Sequence, residues 1–192
     1  MTDENTSKAK IPPLPPGRSI VLVGLMGAGK SSVGRHLART LDLPFVDADP
    51  EIEAAAGCCV SDIFKLYGEK AFRDGERKVI ARLLGDSPQV LATGGGAFME
   101  PKTRKVISES SISIWLKADL ELLYSRTVGR NHRPLLNEGD SRETLKRLME
   151  ERYPIYAEAS LTVETHDERA HITTKRVLKA LSKWLEERGI PA

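Results

Sequence analysis

The chain has 192 residues, 40% hydrophobic and 29% charged, with a formal net charge of +2. That length supports the core of one domain, and so small a charge gives no case for nucleic acid as a partner. No apolar run approaches the ~20 residues of a membrane span.

The N-terminus lacks the apolar core of a secretory signal. The only cysteines, Cys58 and Cys59, are neighbours that cannot readily pair, which points to a reducing, cytoplasmic setting. With four histidines and no Cys-x-x-Cys, no structural zinc site is expected. Nothing calls for a second subunit, so a monomer acting on a small molecule is the expectation.

Residues 1–18 are polar and then proline-rich (Ile11-Pro12-Pro13-Leu14-Pro15-Pro16-Gly17), which predicts a disordered or polyproline arm. From there short apolar runs alternate with helically spaced segments. Strands are predicted at 19–23, 44–47, 89–92, 112–116 and 160–164. Helices are predicted at 30–41, 49–56, 60–67, 71–84, 101–109, 119–126, 141–157 and 168–187. This alternation implies an α/β fold, a three-layer αβα sandwich around a five-stranded parallel sheet. Ligands of such sheets sit beyond the carboxyl ends of the strands, so the residues following each strand carry the chemistry.

The first strand runs into Gly24-Leu25-Met26-Gly27-Ala28-Gly29-Lys30-Ser31, which satisfies the phosphate-loop pattern of Gly, four residues, Gly-Lys-Ser. Glycines let consecutive N–H groups point at a polyphosphate, and the helix start adds partial positive charge. Gly27, Ala28, Gly29, Lys30, Ser31 and Ser32 are therefore the expected nucleotide cradle. Lys30 would reach the β- and γ-phosphates and the Ser31 hydroxyl would ligate Mg²⁺.

The second strand ends in Asp47-Ala48-Asp49. One carboxylate here suits a Mg²⁺ water and the other an acceptor hydroxyl. Asp49 alternatively caps a helix starting at Pro50, and both roles are compatible. In Phe72-Arg73-Asp74-Gly75-Glu76, the arginine is either a solvated surface group or half of a buried pair that presents its guanidinium to a substrate carboxylate.

The third strand is followed by Thr93-Gly94-Gly95-Gly96-Ala97, and three glycines there suggest backbone approaching a ligand. Residues 126–140 hold Arg126, Arg130 and Arg133 with Gly129 and Gly139 as flanks. This is either a solvated basic loop or a mobile lid that closes over a triphosphate. Arg152 precedes a bend at Pro154 that would turn its side chain toward the cleft. Trp115 and Trp184 fit core positions better than ligand platforms.

Together the phosphate loop, Phe45-Val46-Asp47-Ala48-Asp49, Phe72-Arg73 with Glu76, Gly94-Gly95-Gly96, Arg133-Pro134-Leu135-Leu136 and Arg152-Tyr153-Pro154-Ile155-Tyr156 resemble the shikimate kinase family. That family lies in the nucleoside-monophosphate-kinase-like branch of P-loop NTPases, and the likeness covers about 19–187. The resemblance implies one kinase domain at 19–188, with a substrate-binding subdomain at about 49–77 and a lid at about 127–140. It implies ATP on Lys30 and the loop amides, and Mg²⁺ on Ser31 with water-mediated help from Asp47. Asp49 would take the reacting hydroxyl of shikimate. Arg73, Gly94, Gly95, Gly96 and Arg152 would hold that substrate, with the two arginines on its carboxylate.

Arg133 would reach the phosphates from the lid, making Lys30, Asp49 and Arg133 the catalytic set. Arg126 and Arg169 would lie on the adenine side. Other readings are a different small-molecule kinase of this fold, such as a gluconate or nucleotide kinase, and a non-catalytic regulatory ATP-binding protein.

Overall fold

A computed structural model describes residues 14–128 and 140–189. Ser19–Val23 (β1) is buried throughout, with no residue more than 1% exposed. An apolar run with both faces covered needs a central place in a parallel sheet. β1 takes that place: the sheet order is β2-β3-β1-β4-β5, all pairs parallel. The other strands are Phe45–Asp47 (β2), Val90–Ala92 (β3), Ser111–Lys117 (β4) and Leu161–Glu164 (β5).

The crossover helices are Lys30–Leu41 (α1), Ala48–Ala56 (α2), Val60–Gly85 (α3), Pro101–Ser110 (α4), Leu120–Thr127 (α5), Ser141–Tyr156 (α6) and Ala170–Glu186 (α7). α1 packs with α7, and α3 with α4, around the sheet. The result is the three-layer αβα arrangement that the alternation predicts. Leu22, Leu37, Leu91, Ile114, Val177 and Leu181 are fully buried in this core. Trp115 is buried and Trp184 packs against the core, as their apolar settings suggest. Among the described residues no helix is long and apolar enough to cross a membrane.

The structure departs from the sequence reading in four local ways. The last residues of the expected arm are tied down: Leu14 packs against the core, Arg18 N–H bonds to Pro15 O at 3.0 Å, and the Arg18 guanidinium reaches Ser108 O.

α2 begins at Ala48, and its N-cap is Asp47 rather than Asp49. Pro50 falls third in the helix, where its missing N–H is still one of the orphans of a helix start.

At Pro154, where a bend is expected, α6 stays helical and continues to Tyr156, within the helix predicted at 141–157. Its last turn is pinned from outside the helix. The Tyr153 hydroxyl donates to Ala118 O, and Tyr156 is fully buried. Tertiary packing thus overrides a local helix breaker.

The helices predicted at 60–67 and 71–84 are two arms of α3 joined at Gly68, whose φ of 80° and ψ of 171° break the helix.

Candidate active site

The register sets the site. Leu22 lies opposite Ala92, and Ala92 opposite Asp47, so the chain leaves β1, β3 and β2 at one level of one edge. Glycine loop, paired aspartates and glycine triplet therefore open into the same space. It is a cleft of about 1290 Å³.

On the β1 side, Gly27 and Gly29 adopt φ of 85° and 94°, backbone that L side chains rarely reach. The turn they make carries the chain into α1 with no side-chain cap, leaving the first helical N–H groups directed at the cleft. Lys30 folds back over the loop, with Nζ 2.8 Å from Gly24 O and 3.0 Å from Leu25 O. Ala28, though buried, lines the cleft wall together with Gly27, Gly29, Ser31 and Ser32.

The Ser31 hydroxyl donates to Asp47 Oδ2 at 2.8 Å. The other Asp47 oxygen accepts the Asp49 N–H at 3.5 Å. One carboxylate thus joins the phosphate loop to the start of α2, which leaves the Asp49 side chain uncommitted to capping. Solvent reaches Asp49 at the cleft mouth, yet the walls crowd it. This partial loss of hydration, reinforced by the like charge of Asp47, raises its pKa against the opposing pull of Lys30 and Arg73.

Across the cleft, Arg73 on the second arm of α3 is held by Glu76, with Nη1 2.6 Å from Oε2. Glu76 is only 1% exposed. Burial raises its pKa, and the Arg73 charge works in the opposite sense. The spacing i, i+3 puts both on one helical face, so the buried-pair reading of Phe72-Arg73 with Glu76 describes the molecule.

The glycine triplet is where these groups meet. A Cβ on Gly94 would lie 3.0 Å from Asp49 Oδ1 and 3.3 Å from Glu76 Oε1. One on Gly95 would lie 3.3 Å from Arg152 Nη1, and one on Gly96 only 2.3 Å from Arg73 Nη2. The three bare positions are what let two guanidinium groups and two carboxylates converge on one strip of backbone.

Arg126 spans from Gly27 O, at 3.5 Å, to His166 O, at 2.9 Å, and so ties the phosphate loop to the turn after β5. Arg169 is not brought in: it is exposed at the N-cap of α7 and does not line the cleft. Glu168 and Thr173 occupy that wall instead. The Glu168 carboxylate is gripped by Arg176, at 2.9 and 3.0 Å, and by the Thr173 hydroxyl at 2.7 Å. The side chain after β5 expected to be basic is thus replaced at the wall by an acid with its own partner. Arg133, like the rest of 129–139, lies outside the described residues.

Two features of the site have no sequence expectation behind them. Phe64 and Phe72, from the two arms of α3, stack with centroids 4.4 Å apart along one wall; only the Gly68 break brings them together. Tyr156 reaches the triplet by donating its hydroxyl to Gly95 O. Its signal in the sequence is its place at the end of the Arg152-Tyr153-Pro154-Ile155-Tyr156 motif, which assigns it no role.

The family model described as shikimate kinase matches residues 26–183. A shikimate kinase of Paramagnetospirillum magneticum is 62% identical over 88% of this chain and 87% of its own length. One from Caulobacter vibrioides is 57% identical over 85% of this chain and 82% of its own. Among solved structures, shikimate kinase from Acinetobacter baumannii in complex with shikimate superposes with a TM-score of 0.81. It has 39% identity and covers 84% of this chain and 91% of that one. The chain therefore belongs to the shikimate kinase family of ATP-dependent kinases.

Proposed function

We propose that this chain transfers the γ-phosphoryl group of ATP to the 3-hydroxyl of shikimate, giving shikimate 3-phosphate and ADP. One observation carries the reading most. Asp49, Arg73 and Arg152 converge on Gly94–Gly96 in the same cleft as Lys30 and Ser31. Shikimate is a small carboxylated ring bearing hydroxyls. It calls for cations at one end and a single acceptor group at the reacting alcohol, which is the set found here.

Lys30 and the N–H groups of Gly27 to Ser32 hold the polyphosphate and offset its charge. Arg73 and Arg152 take the substrate carboxylate, the first held in place by its bond to Glu76. Bare backbone at Gly94–Gly96 lets the ring lie close. Asp49 orients the reacting hydroxyl and accepts its proton. Its raised pKa makes it a stronger base than a solvated aspartate. The phosphoryl group passes through a loose transition state, so placement and charge neutralisation supply most of the rate.

A divalent cation fits this site. Among the described residues no three His, Cys, Asp or Glu side chains cluster to hold a metal. Ser31 and Asp47, in mutual contact at 2.8 Å, are hard oxygen donors of the kind Mg²⁺ uses alongside substrate phosphates. Bound there, Mg²⁺ would neutralise charge on the β- and γ-phosphate oxygens.

Arg126 flanks the nucleotide at the turn after β5, while the lid expected at about 127–140, with Arg133, falls largely outside the described residues. α2, the first arm of α3 and the start of its second arm, which bears Arg73 and Glu76, form the substrate-binding subdomain at about 49–77. The free thiols of Cys58 and Cys59 suit a reducing, cytoplasmic setting.

An ADP-release assay over a panel of acceptors tests the reading. Release dependent on shikimate, and absent with gluconate or nucleoside monophosphates, is expected. Release with one of the others, or nucleotide binding without acceptor-dependent release, would overturn it.

A further inference from the structure

We propose that Tyr156 is a positioning residue for the acceptor site: its hydroxyl locks the Gly95 peptide and the Arg152 guanidinium into one unit that sets the grip on the substrate carboxylate. The proposal rests on the reading of Arg152 and the triplet as the shikimate-binding side of the cleft.

Tyr156 is 0% exposed, so its ring is fixed by packing. Trp115 and Tyr153 surround it, with centroids 6.0 and 6.3 Å away. A buried phenol needs a partner for its O–H, and here the partner is Gly95 O. With the hydrogen committed, the remaining lone pairs of the oxygen are left for a donor, and Arg152 Nη1 flanks the same Gly95 position as the hydroxyl.

The geometry at Gly95 closes the unit. A Cβ there would lie 3.3 Å from Arg152 Nη1, 3.7 Å from the Tyr156 hydroxyl and 3.5 Å from Gly24 O. Acceptor loop, arginine, phenol and the first glycine of the phosphate loop thus meet at one point. Burial raises the Tyr156 pKa while Arg152 opposes that rise, as expected for a neutral phenol beside a cation.

Tyr153 supplies a built-in comparison. It stands on the same helix and also donates its hydroxyl to a backbone carbonyl, but at Ala118, away from the triplet. Burial pushes its pKa to about 12. Both phenols should matter for stability, and only Tyr156 for the acceptor.

The test is steady-state kinetics on Tyr156→Phe, Tyr153→Phe, Arg152→Lys and the Arg152→Lys/Tyr156→Phe double variant, each with a thermal melt. For Tyr156→Phe the KM for shikimate should rise about tenfold, as expected when a buried hydrogen bond to the triplet is lost and its carbonyl is left unpaired. The KM for ATP should stay within about twofold. Tyr153→Phe should lower the melting temperature with both KM values unchanged. Because Tyr156 acts through Arg152, adding Tyr156→Phe to Arg152→Lys should raise the shikimate KM little further.

A Tyr156→Phe protein with unchanged shikimate KM would overturn the proposal, as would a parallel rise in both KM values or strictly additive effects. A Tyr156→Phe chain that does not fold would also overturn it, by making the hydroxyl merely structural. A wild-type enzyme that does not phosphorylate shikimate would instead sink the underlying reading.

Discussion

Gly96 has no room for a side chain, because a methyl there would sit 2.3 Å from Arg73 Nη2. The obstacle is the far end of a long side chain, so the guanidinium can swing aside at small cost to the fold. Its placement is what would be lost. Gly96→Ala should therefore melt near the wild-type temperature while the KM for shikimate rises about 10–100-fold, the range for a charge-assisted contact. A large drop in melting temperature would mean that the backbone, not the arginine, had moved.

Asp49 is the other decisive side chain. Asp49→Asn should retain ATP binding and lose about 10²–10⁴-fold in turnover. Its carboxyl pKa is raised, and the ionised form is the active one. Activity should therefore be full above that raised value and lost as pH falls through it, at a higher pH than for an ordinary aspartate. Asp47→Asn removes the like charge that contributes to the rise. The acid limb of kcat/KM for shikimate should then move to lower pH, whatever happens to the maximum rate. These residues were readable from the sequence because each follows a strand end. Which aspartate caps α2 was not, since Asp47 and Asp49 are two positions apart and Pro50 fits the helix start in either register.

Gly68 divides α3 into an arm bearing Phe64 and an arm bearing Arg73 and Glu76. Its φ of 80° with ψ of 171° is a conformation that essentially only glycine holds, and nothing lies within 4 Å of a Cβ placed there. Gly68→Ala should thus cost backbone strain alone, about 1–3 kcal/mol in urea unfolding. Shikimate affinity should fall with it as the arms realign.

The strands were legible as elements because burial on both faces forces apolar runs such as Ile20-Val21-Leu22-Val23. The continuity of α3 was not. Gly75 and Gly85 lie in the same helix without breaking it, so composition alone does not tell a hinge glycine from a helical one. The course of α6 through Pro154 was legible, since the helical spacing predicts 141–157, but what pins its last turn was not. What keeps it helical is the reach of Tyr153 and Tyr156 to Ala118 and Gly95, partners distant in sequence.

For the molecule as a unit, ligands that bind only the folded form should stabilise it by mass action. Shikimate at about 100 times its Kd should add roughly 2.7 kcal/mol, and ADP at a similar excess a comparable amount. Thermal melts with each ligand and with both would check this. A gain from the pair well above the sum would reveal coupling between nucleotide and acceptor sides, which share the stretch from Gly24 to Gly95.

The central position of β1 also governs how the molecule is born. The ribosome delivers Ser19–Val23 early, but its two hydrogen-bonding neighbours are Val90–Ala92 and Ser111–Lys117. Ser19 makes one of its bonds to Gln89, 70 residues on. At roughly 5–20 residues per second, this greasy ribbon must wait several seconds for a mate. Nascent chains halted before Lys117 should be sticky, chaperone-bound and unable to retain nucleotide, and those carried past it should become competent within a short span of further synthesis.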